Sequence, residues 1–151
     1  MRRKEKEIAD RAELEAVIAD AQVCRMAMCD GDQPYVIPLS FGYADGTFYF
    51  HCAAAGRKLD VLQKNPRVCL ELEAGVSLNA GAKACDWGMN FRSVIAWGSA
   101  ERVDADAPKR RALDLIMAHY AQGSFEYADA ALAKTVVLQV KTTNMTGKKA
   151  G

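Results

Sequence analysis

His51, Arg57 and Lys58 are the residues whose types and spacing best suit them to chemistry. They lie in HCAAAGRKLDVLQKNP, residues 51–66, where a strand-like run ends on the histidine and a linker of small residues follows. Two adjacent cations then open a short amphipathic helix over residues 57–64, closed by Asn65-Pro66. Cations at a helix start oppose the helix dipole. Together with the free backbone N–H groups there, they also make a place to hold a phosphate. From the residues alone two readings stay open, a phosphate site and a solvated helix start. His51 shares one strand face with Thr47 and Tyr49, while Phe48, Phe50 and Cys52 take the other. It is either a strand-end histidine bonded to backbone or a polar group at the mouth of a cofactor pocket.

Other residues offer weaker signals. Trp87, Phe91 and Trp97 could flank a planar ring or belong to a core. Ser93 could donate to a ring carbonyl or a phosphate, and Arg92 beside it could be a surface cation. A bulge around Pro38-Leu39, with Ser40 next to it, would expose backbone groups able to bond the edge of a flat heterocycle. No nucleophile, base and orienting group can be assembled, and no GxGxxG or Walker pattern is present. Hydrolase chemistry is unsupported.

The elements that must position these groups read as follows. Asp10 can cap a first helix, with Glu13 at the capping-box position and Leu14, Val17, Ile18 and Ala21 on one face. Strands are expected at 23–29, 34–41, 47–52, 67–73, 91–103 and 136–140. Asp45-Gly46 is a hairpin turn. Pro38 marks its strand as an edge or a bulge, and Gly98 marks a bulge or bend. Residues 74–90 read as a loop and residues 142–151 as a polar tail. Asp104 and Asp106 offer caps for a third helix near Pro108. Consecutive strands without regular crossover helices favour an antiparallel barrel over a doubly wound sheet.

At 151 residues, 50% apolar and 26% charged, the chain reads as one soluble globular domain spanning 1–151. A formal net charge of +1 gives no electrostatic case for nucleic acid. No apolar run reaches the roughly 20 residues a membrane span needs. The N-terminal charges lead into no apolar segment, so a secretory leader is not expected. Five cysteines with no CxxC pair, and only two histidines, argue against zinc and for reduced thiols in a cytoplasm.

The order Arg2-Arg3, PYVIPLSFGY, DGTFYFHCAAAGRKLDVLQKNPRVCLE, FRSVIAWGSAERVDA and terminal TGKK resembles the FMN-binding split β-barrel proteins related to pyridoxamine 5′-phosphate oxidase. The likeness is strongest to the branch containing the 5-nitroimidazole-resistance (Nim) proteins, and residues 34–66 are its most specific part. It implies a mainly β fold, a six-stranded antiparallel split barrel with helices at its rim, and a homodimer with two FMN molecules at the interface. It implies that Arg57 and Lys58 grip the phosphate, and that Pro38, Leu39, Ser40, Phe50, His51, Cys52 and Ala53 line the ring and ribityl chain. Arg92, Ser93 and Trp97 would lie near the interface, reaching the partner's cofactor. His51 would serve the substrate pocket as a proton donor, and residues 146–148 would pack near it. The implied activity is an FMN-dependent oxidoreductase acting on small molecules, nitroaromatic compounds among them. A non-catalytic flavin or haem carrier is the alternative, and FAD, the deazaflavin F420 and haem rank behind FMN as cofactors. No recognisable C-terminal substrate motif of true pyridoxamine-phosphate oxidases is present, which argues against that reaction.

Overall fold

A computed structural model describes residues 3–151, so Arg2 lies outside the described residues. The elements are β1 (Glu7–Ile8), α1 (Arg11–Asp20), β2 (Cys24–Asp30), β3 (Gln33–Leu39), β4 (Gly42–Ala44), β5 (Thr47–Ala53), α2 (Arg57–Lys64), β6 (Arg67–Asn79), β7 (Gly88–Arg102), α3 (Asp106–Tyr120), α4 (Asp129–Lys134) and β8 (Thr135–Ala150). All eight strands form one antiparallel sheet in the order β3-β2-β6-β7-β8-β5-β4, with β1 added to β8. The two ends of this path, β3 and β4, are consecutive in the chain and separated only by Ser40 and Phe41. The sheet therefore curls back on itself into a barrel. Because β4 pairs only with Thr47, Phe48 and Tyr49, the barrel is split between the free edge of β3 and residues 50–53 of β5.

Alternation fills the barrel. Met26, Phe48, Phe50, Leu70, Leu72, Val94, Ala96 and Val140 point inward and are fully buried. Each of these side chains except Ala96 contributes about 1.5–3 kcal/mol by leaving water. α1 closes the barrel with Leu14, Val17 and Ile18, and the Asp10 side chain accepts from Glu13 N–H at 2.9 Å as the capping pattern predicts. α3 covers the outside of β4 and β5 over a second cluster of Leu113, Ile116, Leu132 and Val137.

The sequence expectations meet several corrections. Among the described residues the strands number eight rather than six: the expected strand at 34–41 ends at Leu39, a separate β4 forms at Gly42–Ala44 in residues read as part of the turn, and Glu7–Ile8 adds another. Residues 74–90 are not a loop: β6 runs on to Asn79 and β7 starts at Gly88, pairing as a ribbon. The expected polar tail is the second half of β8, paired with β7 to Ala150. α3 starts at Asp106 with no side-chain cap, since Asp104 bonds Arg102 and Asp106 bonds Arg110. Pro38 causes no register shift, because it sits on the strand at the end of the sheet path. The hairpin turn forms at Asp45-Gly46, where φ is +50° and +78°, and the bulge at Gly98 is present.

Candidate functional site

The split is where chemistry-bearing residues meet. Tyr35 and Ile37 from β3, Cys52 and Ala53 from β5, and Gly56, Arg57, Lys58 and Leu59 at the start of α2 line a cleft of about 300 Å³. The volume lies at the small end of ligand pockets, so the cleft suits one end of an elongated ligand. Backbone groups along the unpaired edges of β3 and β5 border the split, and an unpaired edge can bond a planar heterocycle.

The α2 start has an open N-terminus. Gly56 precedes it at φ +139°, a conformation open to glycine, and no side chain caps the helix. The first intrahelical bonds run from Leu59 and Asp60 N–H to Gly56 O, which leaves the Arg57 and Lys58 N–H groups outside the ladder. Lys58 is half-buried and forms no ion pair among the described residues. Arg57 is held differently. Its Nη2 lies 3.3 Å from Asp30 Oδ2 and its guanidinium 4.6 Å from the centre of the Tyr35 ring. Asp30 and Tyr35 thus orient Arg57, while Lys58 remains the uncommitted cation. A phosphate would fit this set: two cations, two N–H groups outside the helix ladder and no ion pair to Lys58 among the described residues.

The expected site residues divide. Arg57, Lys58, Cys52 and Ala53 come together in the cleft. His51 is exposed on β5 two residues before Ala53, opposite Val137, with no hydrogen bond to its ring among the described residues. Phe50 is 0% exposed inside the barrel, where it supports the strand from behind. Leu39 packs on the same core, Pro38 is exposed opposite Arg25, and Ser40 sits exposed at the kink before β4. Ser93 and Trp97 lie on the outer sheet face; Arg92 points to the other side and bonds Asp20 at 2.8 Å. Residues 146–148 pair with β1 and β7, away from the cleft-lining set.

Tyr35, Ile37, Ala55, Leu59 and Asp30 escaped the sequence reading. The signal for Tyr35 and Ile37 was available, because they alternate with Pro34, Val36 and Pro38 and must share the inward face. A second cavity of about 380 Å³ lies against the other flank of α2, with Leu59, Leu62, Ala100 and Leu138 as its apolar lining. Its one arginine, Arg102, is paired with Asp104 at 3.3 Å, so it lacks a free cation for an anion. Burial pushes the Cys24 and Cys69 thiols up, and Cys24 is the fully buried one of the two. No cluster of metal-ligating side chains occurs among the described residues.

Residues 10–149 match the family model described as pyridoxamine 5′-phosphate oxidase. Among solved structures, the chain is 35% identical to a candidate 5-nitroimidazole antibiotic resistance protein of Bacteroides thetaiotaomicron, covering 94% of this chain and 85% of that one at a TM-score of 0.85. The fold also matches the flavocytochrome Anf3 of Azotobacter vinelandii, at 21% identity and a TM-score of 0.87 over 100% of this chain and 72% of that one. An FAD and haem binding protein of Mycobacterium smegmatis matches at 19% identity and 0.87, over 96% and 73%. An uncharacterized protein of Rhizobium meliloti, RA0666, is 31% identical over 65 residues, a match spanning 43% of this chain and 42% of that relative. With its split antiparallel barrel and a family match over residues 10–149, the chain belongs to the pyridoxamine 5′-phosphate oxidase family.

Proposed function

We propose that this protein is an FMN-dependent oxidoreductase that works as a cytoplasmic homodimer and reduces small nitroaromatic compounds. The observation that carries the reading is Lys58, a half-buried cation without a carboxylate, beside an oriented Arg57 at a helix start on the barrel split. The 35% identical Bacteroides protein supports the substrate class. Lys58, Arg57 and the two free N–H groups would hold the phosphate of FMN, and the edges of β3 and β5 would border the rest. Bound flavin supplies the electron chemistry. Reduction of a nitro group to a nitroso group takes two electrons and two protons and releases water, with a reduced nicotinamide as the ultimate donor. His51 is the residue suited to deliver a proton near the ring, since its imidazole is exposed and unbonded.

The barrel's outer face supports the dimer. Val36, Ala27, Cys69 and Trp97 form one row across β3, β2, β6 and β7, with Ile95 beside it. Such an apolar face fits a second copy better than water. All five cysteines are free, consistent with a reducing compartment.

The test is His51→Ala in FMN-loaded protein, assayed for nicotinamide-dependent reduction of a nitroimidazole. A loss of turnover with flavin affinity kept supports the proton-donor role, and unchanged turnover and affinity contradict it. The exposed His51 ring also favours a second reading, a haem carrier with His51 as axial ligand. His119 is unsuited to that role, because its Nε2 bonds Ala21 O at 2.7 Å and its ring packs on Phe41. A Soret band on haem addition, lost in His51→Ala, would favour the carrier.

A further inference from the structure

The densest exposed apolar surface is not at the cleft but on the ribbon that β6 and β7 extend beyond the barrel. It enters at Gly75, φ +65°, with a register shift between Ala74 and Ser77, and it returns through Trp87 and Gly88. Val94 and Ala96 face the core, so the odd-numbered residues of β7 share the outer face: Met89, Phe91, Ser93, Ile95 and Trp97. Trp87 continues the alternation and Leu78 stands opposite Met89. Among the described residues, seven of the nine exposed large apolar side chains fall on this one strip: Val76, Leu78, Trp87 and Met89 on the ribbon, with Val36, Ile95 and Trp97 on the barrel. The ribbon's other face is polar, with Asn90 Nδ2 donating to Ser77 Oγ at 3.4 Å.

A two-stranded ribbon is at best marginally stable in water, and one with an apolar side needs a cover. Its own charge selects the class of cover. Between positions 75 and 90 the only charged residues are Lys83 and Asp86, which cancel, so neither an anionic membrane nor a nucleic acid is attracted. The strip runs without interruption into the barrel face assigned above to the dimer, and it carries both signs at its side, where Arg25 bonds Glu71 and Glu73. A surface with apolar centre and mixed charges suits a two-fold, self-complementary contact. Resting on that dimer reading, we propose that residues 75–90 form an arm that packs on a second copy of this chain, so that two arms clasp the dimer.

The experiment uses the full chain in two forms. Leu78→Lys/Trp87→Lys is compared with wild type by sedimentation over a dilution series, with circular dichroism as the folding check. Trp97→Phe leaves Trp87 as the one tryptophan of the two in the chain, and its acrylamide quenching is followed on dilution. The arm predicts self-association weakened by roughly 100-fold, the scale of losing two interface anchors, and a Trp87 shielded in the associated state and exposed on dilution. A wild-type monomer, a double variant that associates like wild type, or a Trp87 quenched as freely as free indole at high concentration would overturn it. Uptake of FMN is recorded on the same samples. Arm-independent association with FMN bound removes only the arm, whereas arm-dependent association without FMN uptake removes only the cofactor reading.

Discussion

Lys58→Ala distinguishes a cation that holds a ligand from one that holds the fold. Lys58 has no ionic partner among the described residues, so alanine removes its charge without stranding a carboxylate there. It also removes a positive charge from a helix start, where the dipole disfavours it, so melting should stay unchanged or rise slightly. A charge-assisted hydrogen bond contributes roughly 1.5–3 kcal/mol. At about 1.4 kcal/mol per factor of ten, FMN affinity should fall about 10- to 150-fold. Arg57→Ala should behave differently. Arg57 is bonded to Asp30 and stacked on Tyr35, contacts of roughly 0–1 kcal/mol and about 0.5–1 kcal/mol. Its loss should lower stability by about 1 kcal/mol on those scales and loosen the cleft wall as well. The assay is titration of FMN by flavin fluorescence quenching, with riboflavin, which lacks the phosphate, as the control. Riboflavin affinity should be the same in wild type and Lys58→Ala. Equal weakening of both ligands, or unchanged FMN binding, would refute the assignment of Lys58 to a phosphate.

Further outcomes follow from the fold. Glu15 accepts from Arg11 Nε at 2.7 Å and from Tyr43 OH at 3.1 Å, and the Arg11 bond foremost holds its carboxyl below the ordinary range. A lowered folded value gives stability that is present above the unfolded pKa and lost as pH falls through the folded one. Glu15→Gln should therefore cost roughly 0.5–1 kcal/mol at neutral pH, and its melting curve should converge on wild type in acid; a constant gap across pH would contradict this. A methyl group on Gly42 would lie 2.6 Å from Ile116 N and Leu115 C, so Gly42→Ala should lower the urea midpoint by the equivalent of about 1–3 kcal/mol. In a thiol-titration time course of native protein, the exposed Cys29 and Cys85 should react first and the buried Cys24 only on unfolding; early modification of Cys24 would show that the barrel opens.

Much of the barrel was legible because period-two alternation is strong where one face is buried. Phe48 and Phe50 against Tyr49 and His51, or Val68, Leu70 and Leu72 against Cys69 and Glu71, read directly as strands. The helix at Arg57–Lys64 and the Asp45-Gly46 turn were equally plain, since each carries its own local signal. What stayed hidden depends on tertiary pairing. Residues 141–146 are mostly polar and look like a tail, yet β7 gives them a ladder and Gly147 lets Ile8 and Leu14 approach. The ribbon was masked by three glycines, although Val76 and Leu78 already alternate with Gly75, Ser77 and Asn79. At the site, the two cations were visible from the helix start, but Asp30 joins Arg57 across 27 positions and had no local sign. Arg92 and Ser93 adjoin but face opposite ways on the strand, and the Arg92 bond to Asp20, 72 positions away, likewise had no local sign.

The central claim is that the barrel split with Arg57 and Lys58 holds FMN. Its most direct test is the absorbance spectrum of the purified protein after incubation with FMN and removal of free ligand, with mass spectrometry of whatever denaturation releases. The account predicts flavin absorbance bands that stay with the protein, and one FMN released per chain. A colourless protein that takes up no FMN would contradict it.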